Sequence, residues 1–184
     1  MQIVLIVVPI LLVVGLVLIY NGLVQMRLLT RNAWADVETM LQRRAELVPN
    51  LVETVKGFAT YEQSTLDRVL QARNQAAEAS SITSRASAER QVGAGVVSIL
   101  ALAEAYPDLK AGQAFLKLQE ELSQTEKLIA NARQYYNACV RDYNIRREKF
   151  PNSLVAGPLG FAPAEFFELD DPGQATAPSL KGLP

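Results

Sequence analysis

The sequence contains no histidine and a single cysteine, Cys139, in 184 residues. Without histidine it lacks the commonest general base, the commonest metal ligand and the side chain that titrates near neutral pH. One cysteine excludes an intrachain disulfide and any zinc or iron–sulfur site built on several thiolates of one chain. A di-iron helical bundle is excluded as well, because it needs Glu-x-x-His pairs. Neither sign of charge dominates: 18 Lys and Arg face 19 Asp and Glu. The electrostatic footprint of a nucleic-acid-binding protein is therefore absent. No segment alternates apolar and polar residues at period two, so no strand is expected. The chain reads as all-α and non-enzymatic, with no cofactor and no metal.

Charge is also missing from the N-terminal segment, where no charged side chain precedes Arg27. Ile3 to Ile19 is Leu, Ile or Val throughout, apart from Pro9 and Gly15. As a helix, residues 3–20 extend about 27 Å, close to the hydrocarbon thickness of a bilayer. A cleaved signal peptide would need a basic start and a small-x-small site, and Tyr20-Asn21-Gly22-Leu23 offers none. Residues 1–21 are thus expected to be a retained single-pass anchor in the lipid bilayer. Arg27, Arg31, Arg43 and Arg44 follow it and no base precedes it, which favours a cytoplasmic body.

Residues 22–150 carry helical periodicity. Trp34, Val37, Leu41, Ala45, Val48, Val52, Val55 and Ala59 recur at steps of three or four. Pro49 interrupts this run and should clash with the Ala45 carbonyl, yet the apolar phase is the same on both sides. A kinked, continuous helix is expected, growing out of the membrane span. Thr60-Tyr61-Glu62-Gln63 fits a capping box for a second helix to about Ala79, with Leu66, Val69, Leu70, Arg73 and Ala77 on one side. A third helix is expected over about 87–104, with Val92, Val96, Ile99, Leu100 and Ala103 inward and Gly93 and Gly95 as a close-packing site. The fourth, 108–150, repeats Phe115, Leu118, Leu122, Thr125, Ile129, Ala132, Tyr136, Cys139, Tyr143, Arg147 and Phe150 at near-heptad spacing, the mark of a coiled coil. Short connections make neighbours antiparallel. The expected fold is an N-terminal transmembrane helix continuing into an antiparallel four-helix bundle with two long and two short helices.

Unequal helix lengths raise a question of cover. The membrane-proximal stretch pairs only two helices, leaving an apolar stripe of Trp34, Val37, Leu41, Tyr136, Tyr143 and Phe150. Either a second copy covers it or the apolar segment 151–169, with Phe161, Phe166 and Phe167, folds back over it. The stripe favours a homo-oligomer, with those nine residues as its interface. After Leu169 the composition turns Pro-rich and polar, and 170–184 is expected to be a disordered tail. Arg43-Arg44 with Glu46 and Glu53 resembles a carboxylate pair with a cationic clamp but reads as a solvated helix face. Cys139 reads as a small core residue. Tyr135, Tyr136, Tyr143, Asn137 and Asn144 form a group whose phenols and amides would set packing register by demanding partners.

A set of ordered segments resembles the LemA family. They are Tyr20-Asn21-Gly22-Leu23-Val24, Ala33-Trp34-Ala35-Asp36-Val37, the run Arg43 to Gly57, Ala72-Arg73 and Tyr106-Pro107-Asp108-Leu109-Lys110-Ala111. Leu118-Gln119, Thr125-Glu126, Ala132-Arg133, Tyr136-Asn137, Tyr143-Asn144 and Phe150-Pro151 complete the set. The resemblance covers Tyr20 to Phe167. It implies a bacterial inner-membrane protein with one N-terminal span, an antiparallel helical bundle and no known catalytic residues. It also implies kinship with a protein linked to magnetosome membranes and with proteins found beside membrane zinc proteases. The expected function is a self-assembling membrane-anchored scaffold that organises membrane or partner proteins. The alternative is an adaptor or regulator of a membrane-bound protease or other envelope enzyme.

Overall fold

In a computed structural model the described residues, 1–58 and 62–169, form helices joined by turns and loops with no strand among them, and residues 2–5 are described by backbone alone. Six helices follow in order: α1 (Gln2–Lys56), α2 (Gln63–Glu78), α3 (Ile82–Ala103), α4 (Pro107–Lys110), α5 (Gln113–Glu148) and α6 (Asn152–Ala156). They compose two units. One joins Met1–Met40 to Ile129–Phe166, and the other contains the described residues of Leu41–Leu128 with those from Phe167 to Leu169. The expected tail 170–184 and the Thr60 and Tyr61 part of the capping box lie outside the described residues.

The apolar run and the polar sequence beyond it form one helix, α1. An 18-residue window near its N-terminus has a mean hydropathy of 2.6, yet only 6% of it is buried within the protein. A soluble core helix of that hydropathy would be covered by its own fold. This one is exposed, and it is long and apolar enough to cross a membrane.

Pro49 does not end α1. It has no N–H to give the Ala45 carbonyl, and Arg73 from α2 supplies the donor instead, Nε to oxygen, at 3.2 Å. The helix therefore crosses the proline without an orphaned carbonyl. The core of this second unit draws on Val48, Leu51, Val52 and Val55 of α1 and on Leu66, Val69, Ala72 and Ala76 of α2. Val92, Val96, Ile99 and Ala103 of α3, with Phe115 and Leu122 of α5, complete it. In α2 the expected inward face is one residue out of phase: Ala72 and Ala76 are buried, whereas Ala77 is exposed. Gly93 and Gly95 are the expected close-packing site. A Cβ on Gly95 would overlap the Val69 side chain, and one on Gly93 would press on the Arg44 guanidinium at 3.4 Å.

Two boundaries differ from expectation. Helix α3 begins at Ile82 rather than near Ser87, because Ser81 and Ser84 form a reciprocal capping box, with both main-chain-to-hydroxyl distances at 3.1 Å. These two serines, which precede the expected helix, are its start signal. The fourth expected helix is divided into the single turn α4 and the long α5.

The Arg73 contact predicts a specific non-additivity. Arg73→Met should cost about 1–3 kcal/mol by orphaning the Ala45 carbonyl. In a Pro49→Ala background, where residue 49 regains its N–H, the same change should cost clearly less. Denaturant unfolding of the four variants measures the cycle, and equal costs in both backgrounds would refute the assignment.

Candidate functional site

In the first unit, α5 holds the chain that follows it. After α6 the backbone turns at Gly160, whose φ of +73° favours a residue without Cβ, and runs on without helix from Phe161. Arg147 Nε donates to the Phe161 carbonyl at 2.8 Å, and the Tyr143 hydroxyl to that of Ala162 at 2.8 Å. Asn144 both donates to the Ala164 carbonyl and accepts from the Ala164 N–H, each at 2.9 Å. The Tyr136 hydroxyl donates to the Glu165 carbonyl at 2.7 Å. Successive turns of one helix thus bind successive peptide groups of an extended segment running antiparallel to it. These are the partners that the tyrosines and Asn144 demand. They fix the register of the chain's own segment.

Apolar packing reinforces the clamp. Phe161 is buried with Leu23, Tyr143 and Ala156. Its ring meets Tyr20 edge-on at 5.6 Å, and the Arg27 guanidinium lies 4.8 Å from its centroid. Trp34 packs on Tyr136 at 5.2 Å. Burial, followed by the charge of Glu165, pushes the Tyr136 phenol up to about 12.

In the second unit, Arg44 is buried. Its Nη2 donates to Glu89 Oε2 at 2.6 Å and to the Glu89 carbonyl at 3.0 Å, and its Nη1 donates to Glu126 Oε1 at 2.7 Å. Arg85 Nε reaches the other Glu89 oxygen at 3.0 Å. Burial pulls the Arg44 pKa down, but Glu126 and Glu89 more than offset this and hold it above its ordinary value. Arg44 Nε is buried with no hydrogen-bond partner. Beside this cluster is a cavity of about 130 Å³ lined by Gln42, Arg73, Arg85 and Glu89, room for a few waters. Two guanidinium groups on one carboxylate, with Glu126 on the first of them, suit this cluster to holding three helices together. Among the described residues, no three Cys, Asp or Glu side chains converge as a metal would require.

The expected residues distribute unevenly. In the first unit Val37, Tyr136, Tyr143 and Phe161 are buried and Trp34 is half-buried; in the second, Leu41 and Phe167 are buried. Phe150 and Phe166 remain 80% and 43% exposed. In the first unit segment 161–165 folds back along α5, where side-chain hydrogen bonds satisfy its backbone. Arg43 and Glu53 are exposed and Glu46 pairs with Gln42 at 3.0 Å, as a solvated face does. Arg44 departs from that reading, for it falls on the buried stripe between Leu41 and Val48. Its place in that phase was the available signal. Its partners, 45 and 82 residues away, left none. Cys139 is buried and unpaired.

Comparison with known proteins gives a match of residues 33–181 to the model of the LemA family. The match extends beyond Phe167, where the sequence resemblance stops. Magnetosome protein MamQ 2 of Paramagnetospirillum magneticum is 27% identical over 81% of this chain and 64% of its own length. Magnetosome protein MamQ of Magnetospirillum gryphiswaldense is 26% identical over 80% and 64%. Protein LemA of Metamycoplasma hominis is 23% identical over 77% and 65%. The chain thus spans slightly under two thirds of the length of these relatives.

Two measurements probe the two clusters. Glu89→Leu should cost about 3–5 kcal/mol by leaving Arg44 without its buried counter-charge, and Arg44→Met added to it should recover much of the loss. Thermal unfolding compares them; a double variant no better than Glu89→Leu alone would contradict this account. For the clamp, the Tyr136 pKa lies above its ordinary value, so its contribution is complete below pH 10 and is lost as pH rises through about 12. Protection of the Ala164, Glu165 and Phe166 amides, taken relative to the intrinsic base-catalysed exchange rate, should fall over that window, and Tyr136→Phe should abolish that fall.

Proposed function

Since this chain belongs to the LemA family, we propose that it is a membrane-anchored, non-enzymatic helical scaffold that self-assembles at the bacterial inner membrane and organises membrane or partner proteins there. The observation that carries the reading is the continuity of α1. One helix from Gln2 to Lys56 includes both the apolar span and the first structural helix of the body, so the body is positioned directly by the bilayer. The side chains capable of chemistry support the same reading. Arg44, Glu89, Glu126, Tyr136, Tyr143 and Asn144 hold the fold through mutual or main-chain contacts. Two relatives that are named magnetosome proteins fit a role in organising a membrane.

In this reading the body is an antiparallel bundle in which long α1 and α5 flank shorter α2 and α3. The exposed Tyr135 and Phe166 are among the apolar side chains available to a second copy. Confinement to a plane raises the effective concentration of copies, so a modest contact suffices.

Particle mass in lipid discs and in mild detergent tests the assembly. The wild type should contain several copies, and Tyr135→Ser with Phe166→Ser should reduce that number without loss of helical content. A strictly monomeric wild type in both media would refute the scaffold and favour an adaptor for a membrane-bound protease or other envelope enzyme. The charge asymmetry around the span further directs the body to the cytoplasm. A cysteine placed at Ser179 should resist a membrane-impermeant thiol reagent in intact cells, and labelling there would reverse the topology.

A further inference from the structure

We propose that residues 150–159, the turn between α5 and the clamped segment, form a foot that inserts its apolar side chains into the lipid surface beside the membrane span. The foot has two contrasting sides. Ala156 is buried in the cluster with Leu23, Tyr143 and Phe161. Phe150, Leu154 and Leu159, within the same ten residues, are 80%, 67% and 47% exposed. Three large apolar side chains presented together to water would be costly, whereas the boundary between headgroups and acyl chains suits them.

The position of the foot along α1 identifies its occupant. The cluster holding Ala156 and Phe161 also packs against Ile19, and Phe161 meets Tyr20. Ile19 is the last residue of the unbroken apolar run, and tyrosine is favoured where a span leaves the hydrocarbon. The end of α5 is at the same level, since a Cβ on Gly22 would lie 2.7 Å from the Arg146 guanidinium. The foot is therefore tied to the stretch of α1 that emerges from lipid.

Charge points the same way. Arg146 and Lys149 are exposed immediately before Phe150 and line one groove with Met26, Asp142 and Asn152. At the depth of Gly22 such cations meet lipid phosphates, more strongly where the lipids are anionic. Apolar anchors flanked by bases are the composition of an interfacial membrane contact. The inference rests on the membrane span alone and holds whether or not copies assemble.

The test uses the full chain, one copy per lipid disc, with Cys139→Ser as background. Single cysteines at Phe150, Leu154, Leu159, Gln134 and Val14 each carry a polarity-sensitive fluorophore. Gln134 is exposed on α5, about 21 Å before its end. Lipids bearing a shallow quencher should quench the labels at 150, 154 and 159 at least about two-fold and shift their emission to the blue, while the label at 134 stays water-like. Arg146→Glu with Lys149→Glu should reduce that quenching in anionic discs more than in zwitterionic ones. The label at Val14 reports the span itself: if it is unquenched, the span reading fails and the foot with it. With Val14 quenched, a water-like response at all three foot positions would overturn the foot alone. So would labels shielded only when two copies share a disc, which would make this surface a protein contact.

Discussion

A carbonyl oxygen removed from water needs a donor, and the long polar side chains of this protein are arranged largely around that requirement. Arg73 donates to the Ala45 carbonyl that Pro49 leaves free. Arg44 donates to the carbonyl of Glu89 as well as to its carboxylate. Arg147, Tyr143, Asn144 and Tyr136 do the same for four peptide groups of a segment with no secondary structure of its own. A helix satisfies its own main chain, but a proline within a helix and an extended peptide laid on one do not. In each case a distant side chain makes the irregular backbone tolerable.

This accounts for two features that would otherwise conflict. Helix α1 keeps a single apolar phase through Pro49, so the span and the body share one element. The segment after α6 also packs on α5 without forming a strand or helix, because α5 carries tyrosine, asparagine and arginine at one face and reads the peptide groups directly. Where such partners are lacking, the apolar side chains of the chain stay outside. Phe150 and Leu154 remain exposed, and in the first unit the cover provided from within stops short of them.

The buried ion pair belongs to a different energetic class. Desolvating Arg44 and Glu89 is costly, and a well-packed apolar pair could be as stable. What the charges add is a demand for one arrangement: Arg44 must meet Glu89 on α3 and Glu126 on α5 at once. Gly93 makes room for the guanidinium, and Gly95 lets α3 approach Val69 on α2. A shifted register in this unit would bury a charge without its partner, which specifies the packing more sharply than apolar contact does.

The sequence by itself determined the local periodicities. It fixed the helical class, the lipid-length apolar run, the persistence of α1 through Pro49, the buried face of α5 from Phe115 to Tyr143 and the small-residue contact on α3. Each follows from spacing along one stretch of chain, where geometry repeats every few residues. Tertiary structure alone decided where the polar side chains went. Arg44 sits beside Arg43, Glu46 and Glu53, and only its phase between Leu41 and Val48 separates the buried guanidinium from its solvated neighbours, since its partners are 45 and 82 residues away. Tyr136, Tyr143 and Asn144 were legible as residues demanding partners. That the partner is the chain's own segment 162–165 depended on a reversal at Gly160 and on main-chain groups that every residue possesses, which no side-chain pattern records.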